Sequence, residues 1–422
     1  MNALMKYTLK TSMFLFLCLL SVFTLAQPQP GDLFREYTWT TPSESKNSPY
    51  LRVGGKMDYE IKTNIYPDLK IEGRNIPFPF YVDLKGAKKA EITVEKVLCH
   101  PGTQNLRISL NDHAPLVLPE SEYIPEPQNW FMHHFFPTFE IPLNNLSEGT
   151  DNYFSLSVDD NIRWPQNLVY GVTLRIYYSD AASPNEISVR IISNNEQEVV
   201  TRLSGKLNGI SSVDYIARYD GPDSDGDGIY HEWHYRHHRG KILNHAGSSG
   251  RKPFEINWPI SWIPDQKEPV LLSALVHYND GKIQMLPETK LVIKRNSYSV
   301  ELCKPDSVPQ FWVTRKGEHH EIFNIRGPVK NITEARMIFT SWSPGYLNGI
   351  YINDFSVFTR EGPKYQYMQH EIPVSETGIF KQGGNVLKTG RTPKYNGKMV
   401  HGTEIMWPGI MLLVKYRNND EE

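Results

Sequence analysis

The chain has 422 residues, with 45 basic against 47 acidic side chains and a net charge of −2, so no basic footprint points to nucleic acid. That length predicts two or three domains. Its 23 Tyr, 9 Trp and 18 Phe, with 30 Pro and 29 Gly, favour β-sandwiches over helices. Flat aromatic faces also stack on sugar rings, although filling sandwich cores is their commoner use.

Residues 1–26 have the form of an export signal. Lys6 and Lys10 precede an apolar run over 13–25, and Ala26 closes a small-residue cleavage site before Gln27. No later run approaches a membrane span, so the expectation is an exported protein, periplasmic or secreted. Beyond Cys18 only Cys99 and Cys303 remain. They either pair, as an oxidising compartment allows, or stay as two buried thiols.

Residues 27–55 are polar and read as a leader into a first domain that ends near 183. Short apolar runs at 90–98, 106–110, 153–158 and 171–178 alternate with turn residues and predict strands. A second domain, 184–297, carries runs at 187–192, 213–219 and 270–278 that fit an immunoglobulin-like sandwich. Between two of these lies a long insertion, 220–263, of the kind that is usually functional.

The third domain, 298–422, repeats the first. Asn111-Asp112, Glu140-Ile141-Pro142, Asn152 and Trp164-Pro165 recur in order as Asn353-Asp354, Glu371-Ile372-Pro373, Asn385 and Trp407-Pro408. The spacing from Asn111 to Asn152 is 41 residues and from Asn353 to Asn385 is 32, which predicts one architecture with different loops. The expected fold is all-β, with two jelly-roll sandwiches flanking an immunoglobulin-like one.

On these residues the chain resembles the galactose-binding-like jelly rolls of secreted carbohydrate-active proteins. Over about 210–420, the block DSDGDG, WHYRHHRG, WIPDQ and HGTEIMWPG is similar to secreted multi-sandwich proteins of marine bacterial polysaccharide-utilisation loci. Among these are dehydratases of ulvan-type oligosaccharides. The resemblance implies an exported carbohydrate-active protein whose partner is an anionic oligosaccharide or polysaccharide.

The insertion concentrates the chemistry. Asp223, Asp225 and Asp227, with Gly226 and Gly228, match the opening of a calcium loop, but His234 stands where a helix-loop-helix site needs a bidentate Glu. A structural calcium ion and a solvated acidic turn are both open. His231, His234, His237, His238 and His245 follow. If helical, His231, His234 and His238 share a face; if extended, Trp233, Tyr235 and His237 alternate with His234, Arg236 and His238. No HExxH or other transition-metal spacing occurs. His401 with Glu404 and Trp407 forms a second set in the third domain. Trp130 with His133 and His134 forms a third, and that His pair reads as an edge-strand surface.

Elimination next to a uronate carboxylate needs a cation to neutralise the carboxylate, a base for the neighbouring proton and an acid for the departing oxygen. His234, His238, Tyr235, Arg236, His401 and Glu404 are the candidate catalytic residues. Trp233, Arg239, Trp258, Trp407 and Trp130 are the candidate substrate contacts. Glycoside hydrolysis wants two facing carboxylates, and nothing in the sequence pairs Glu232, Glu255 or Glu404. A serine hydrolase lacks its G-x-S-x-G elbow. The reading is a dehydratase or lyase acting on anionic oligosaccharides, with a non-catalytic carbohydrate-binding protein as the alternative.

Overall fold

The computed structural model describes residues 27–41, 50–53, 60–62, 69–70, 75–98, 105–159, 167–178, 186–359, 362–394 and 401–418. The segment 1–26 read as an export signal, Cys99 and Trp164-Pro165 lie outside them, and Cys303 is a buried free thiol. The protein is all-β. Among the described residues the strands pair antiparallel and only single-turn helical segments interrupt them. No helix there is long and apolar enough to cross a membrane, which says nothing of a β-barrel.

The predicted strands form where alternation placed them. Ala87–Leu98, Arg107–Leu110, Tyr153–Ser157 and Asn167–Tyr178 cover the runs of the first stretch. Ile187–Asn194, Ile210–Asp220 and Val270–Tyr278 cover those of the second. The supposed leader is different. Leu33–Thr40 pairs along its whole length with Asn167–Tyr178, because its own alternation buries Phe34 on one side of the sheet and Trp39 on the other. It is an interior strand.

The same strand joins the first two stretches. Leu33 and Phe34 also pair with Gln284 and Ile283, so one 14-stranded sheet runs from the first stretch into the second. A four-stranded sheet closes over it on a core that includes Leu51, Ile92, Ile108 and Phe154. A three-stranded sheet closes over its other end on Val199, Tyr215 and Leu272. In the third stretch a five-stranded and a four-stranded sheet enclose Trp312, Phe323, Phe339 and Leu412, and Tyr50, Val97, Met132 and Tyr170 from the first stretch belong to the same core.

The repeat has a physical basis. Asn111 and Asp112, and equally Asn353 and Asp354, have positive φ (46°, 61°, 47° and 71°), the left-handed pair of a tight hairpin that Asn and Asp tolerate best. Asn111 Nδ2 donates to Asn152 Oδ1 at 2.8 Å and its Oδ1 accepts from Tyr153 N at 2.9 Å. Asn353 Nδ2 donates to Asn385 Oδ1 at 2.7 Å and its Oδ1 accepts from Val386 N at 3.1 Å. One side-chain network thus pins the turn to the neighbouring strand twice.

Candidate functional site

The site starts with a strand whose polar face is covered. Along Ala87–Leu98, Ala90, Ile92 and Val94 enter the core, so Glu91, Thr93 and Glu95 point the other way. That outward face is no solvent surface, since Glu91 is 1 % and Glu95 3 % exposed. The His-rich insertion lies across it. Arg236–His238 and Lys241–Leu243 form a hairpin whose turn residues Arg239 and Gly240 have φ of 51° and 73°. The insertion is therefore extended, and alternation sorts its side chains. Arg236 and His238 turn one way; Tyr235 and His237 turn the other.

Glu95 is the hub. Its Oε1 accepts from His238 Nδ1 at 2.6 Å, Tyr367 OH at 3.0 Å and His134 Nε2 at 3.2 Å, and its Oε2 from the Arg239 amide at 3.2 Å. Burial opposes ionisation, yet the bonds from His134 and His238 hold its pKa well below the ordinary carboxylate range. Burial lowers His134 to about 4, so at neutral pH that ring is an uncharged donor. His238 keeps 26 % of its side chain exposed. With Nδ1 turned to Glu95, its Nε2 has no hydrogen bond among the described residues and is the acceptor nitrogen. Tyr367 OH is also 2.5 Å from His238 Nδ1. Burial first, and then the Glu95 charge, raise the Tyr367 pKa, so the phenol keeps its proton.

The third stretch supplies Gln369 as well. Tyr367 and Gln369 share a face of Tyr367–Val374, and Gln369 Oε1 accepts from Arg236 Nη2 at 2.7 Å. Arg236 is 5 % exposed, and its Nε and Nη1 are buried without a hydrogen-bond partner. It lines a cleft with Glu95, Arg239, His237, Phe136 and Asp225.

Beside the cleft is the acidic loop. Asp223 accepts from Gly226 N and Gly228 N at 2.7 Å each, and Asp227 from Ile229 N at 2.6 Å. Gly226 must be glycine. Its φ is +77°, and a Cβ there would collide with the His134 carbonyl oxygen. Burial, and next the neighbouring carboxylates, push Asp227 up to about 9 and raise Asp223 and Glu232. The three aspartates are the only group of metal-ligating type that converges among the described residues.

Most other sequence candidates lie elsewhere. His234 is 4 % exposed, stacks on Tyr219 at 4.0 Å and donates from Nε2 to the Tyr219 carbonyl at 2.9 Å. Trp233 packs with Phe34 and Tyr177, and Trp258 with Val199 and Tyr215. At 8 % and 6 % exposure neither offers a face to a sugar, because each fills a gap between sheets. Tyr235 packs beside Trp233 and also lines the cleft, as does His237, whose Nε2 is 3.3 Å from Glu36 Oε1. Trp407 abuts Phe131 at 5.7 Å, and its backbone N–H donates to the Met132 carbonyl at 2.6 Å. Trp130 is 44 % exposed, edge-on to Phe311. His401 packs on Tyr365 at 4.8 Å. Glu404 is buried opposite Trp342, which itself pairs with Tyr367.

Two residues were misread in sequence and two went unnoticed. His133 and His134 do sit on an edge strand, but they are 1 % and 2 % exposed; the loop over 121–136 folds against the third stretch and covers them. Glu95 looked like the solvent side of an alternating strand, and Tyr367 like an ordinary strand aromatic. The signal available was a carboxylate in a strand that a long basic insertion could cover.

No family model matches the chain, and no curated protein matches it. Among solved structures it is similar to BuGH86 in complex with neoagarooctaose, at 10 % identity and TM-score 0.25, covering 60 % of this chain and 36 % of that one. It is similar to BpGH86A, a β-porphyranase of glycoside hydrolase family 86 from the human gut bacterium Bacteroides plebeius, at 11 % identity and TM-score 0.24, covering 66 % and 43 %. Similarity to peptide N-glycanase F covers 92 % of this chain and 96 % of that one, at 9 % identity and TM-score 0.19. The chain thus spans under half the length of the first two. Likeness at this level carries nothing about substrate or reaction, which rest on the residues themselves.

Proposed function

We propose that the protein binds the carboxylate of a uronate-containing oligosaccharide and eliminates across the adjacent ring bond. The observation that carries this reading is Arg236, a buried guanidinium that lines the cleft beside Glu95 and whose Nε and Nη1 have no hydrogen-bond partner. Buried guanidinium N–H groups left unpaired are charge-assisted donors for a carboxylate. The cleft holds about 40 Å³, room for a few waters or one carboxylate, so the sugar ring lies at its mouth.

His238, held by Glu95 and keeping part of its ring exposed, is the base. Its Nε2 takes the proton from the ring carbon next to the carboxylate, while Glu95 fixes the tautomer and steadies the imidazolium. The electron pair left behind forms the ring double bond as the neighbouring carbon–oxygen bond breaks. Tyr367 protonates the departing oxygen. If that oxygen is a hydroxyl the product is water and an unsaturated acid; if it is glycosidic, the chain is cut. Arg236 stabilises the charge that collects on the carboxylate in between.

The test is incubation with uronate oligosaccharides, followed by ultraviolet absorbance of the conjugated acid. Wild type should generate it, and Tyr367→Phe and His238→Ala should not while still folding. Retention on the polysaccharide with no absorbance change would leave a binding protein, with exposed Trp130 as its stacking face.

A further inference from the structure

The acidic loop brings three carboxylates together without a counter-charge. One oxygen from each of Asp223, Asp225 and Asp227 lies within 4.8 Å of the other two, and Asp223 and Asp225 are 3 % and 8 % exposed. Among the described residues, no Lys, Arg or His forms an ion pair with any of them. Asp223 and Asp227 are engaged by loop amides, but Asp225 Oδ1 is buried inside the cluster with no hydrogen-bond partner. An unsatisfied buried carboxylate oxygen is costly, and several such oxygens facing one point are what a hard cation with oxygen ligands takes up.

The loop is also wedged where the three stretches of chain meet. Ser121 Oγ donates to the Asp227 carbonyl, Gly226 backs onto the His134 carbonyl, and Gln369 Nε2 reaches the Ser224 carbonyl at 3.5 Å. Asp225 and Arg236 line the same cleft, so the charge on Asp225 bears on any anion that approaches Arg236.

We propose that Asp223, Asp225 and Asp227 bind a divalent cation of the calcium class, and that the bound ion neutralises Asp225 in the cleft it shares with Arg236, so that a carboxylate meets Arg236 without repulsion from that aspartate. The second half rests on the role given to Arg236 above. Because linkage is reciprocal, the ion and the carboxylate ligand strengthen each other by the same factor.

The test uses the full chain after dialysis against a chelator. Calcium chloride should raise the melting temperature by a few degrees and give a saturable calorimetric signal, with magnesium chloride weaker. Asp225→Asn is nearly isosteric; it should melt like wild type in chelator and lose the calcium shift. If it fails to fold, Asp227→Asn is read the same way. An unchanged melting temperature with no heat of binding overturns the site. With calcium, the Kd of a glucuronate disaccharide should fall by about tenfold, within the usual range of such couplings. A full calcium shift with an unchanged Kd overturns the coupling between the ion and Arg236. A full calcium shift with no glucuronate binding in either condition sinks the carboxylate reading, and the second half with it, while the ion site stands.

Discussion

Glu95→Gln removes one charge and almost no volume from the point where the three stretches meet. Three donors converge on Oε1 and one on Oε2. Losing the charge weakens each Oε1 bond by about 1 kcal/mol, or about 3 kcal/mol together. The new amide NH₂ would also face the Arg239 N–H, two donors in contact, for about 1–3 kcal/mol more. Against this, the buried carboxylate no longer needs desolvation, which returns part of the loss. The net is a destabilisation of about 2–4 kcal/mol, read by urea unfolding. Turnover should suffer more than stability, because the neutral amide no longer stabilises the imidazolium that His238 becomes; a fall on the order of 10²–10⁴-fold is expected. A Glu95→Gln protein with wild-type unfolding and wild-type turnover would refute the hub.

The other predictions are more local. Arg236→Lys keeps the charge but loses the planar set of guanidinium donors, so affinity for a uronate oligosaccharide should drop by about tenfold or more with little change in melting temperature; unchanged affinity would remove Arg236 from the site. His234→Gln should lower stability and leave turnover within a few-fold, and loss of turnover in a stable protein would return His234 to the chemistry. His234 also carries a pH signature. Burial lowers its folded pKa from 6.5 to about 4, so its contribution is complete above the unfolded value and is lost as pH falls toward 4. Between pH 7 and pH 5 wild type should therefore lose about 2 kcal/mol more than His234→Gln, and parallel pH–stability curves would contradict the assignment. Asn353→Ala breaks its bonds to Ile379 O, Asn385 and Val386 N and should cost about 2–3 kcal/mol by chemical denaturation; a neutral substitution would deny the Asn network its structural part.

Period-two alternation was legible wherever a strand had one buried face, and the Asn-Asp turns announced their own hydrogen-bond network. The site was only half legible. Arg236, His238 and the aspartates stood out because the insertion is dense in functional groups. Glu95 did not, because its strand carries the pattern of a sheet with one wet face, and only the folded insertion makes that face dry. Tyr367 was hidden by distance: it meets Glu95 across 272 residues of sequence. Trp233 and Trp258 misled for the opposite reason, since an aromatic beside charged residues looks like a platform until the sheets close on it. The first strand, Leu33–Thr40, was lost among polar neighbours, because five of its eight side chains are half-buried at a seam between sheets.

The most direct measurement is mass spectrometry of uronate oligosaccharides after incubation with the wild-type chain and with His238→Ala. Elimination predicts products carrying a ring double bond, lighter by one water or shortened without uptake of water, from wild type alone. Products that have gained a water at the cut, or equal conversion by His238→Ala, would contradict it.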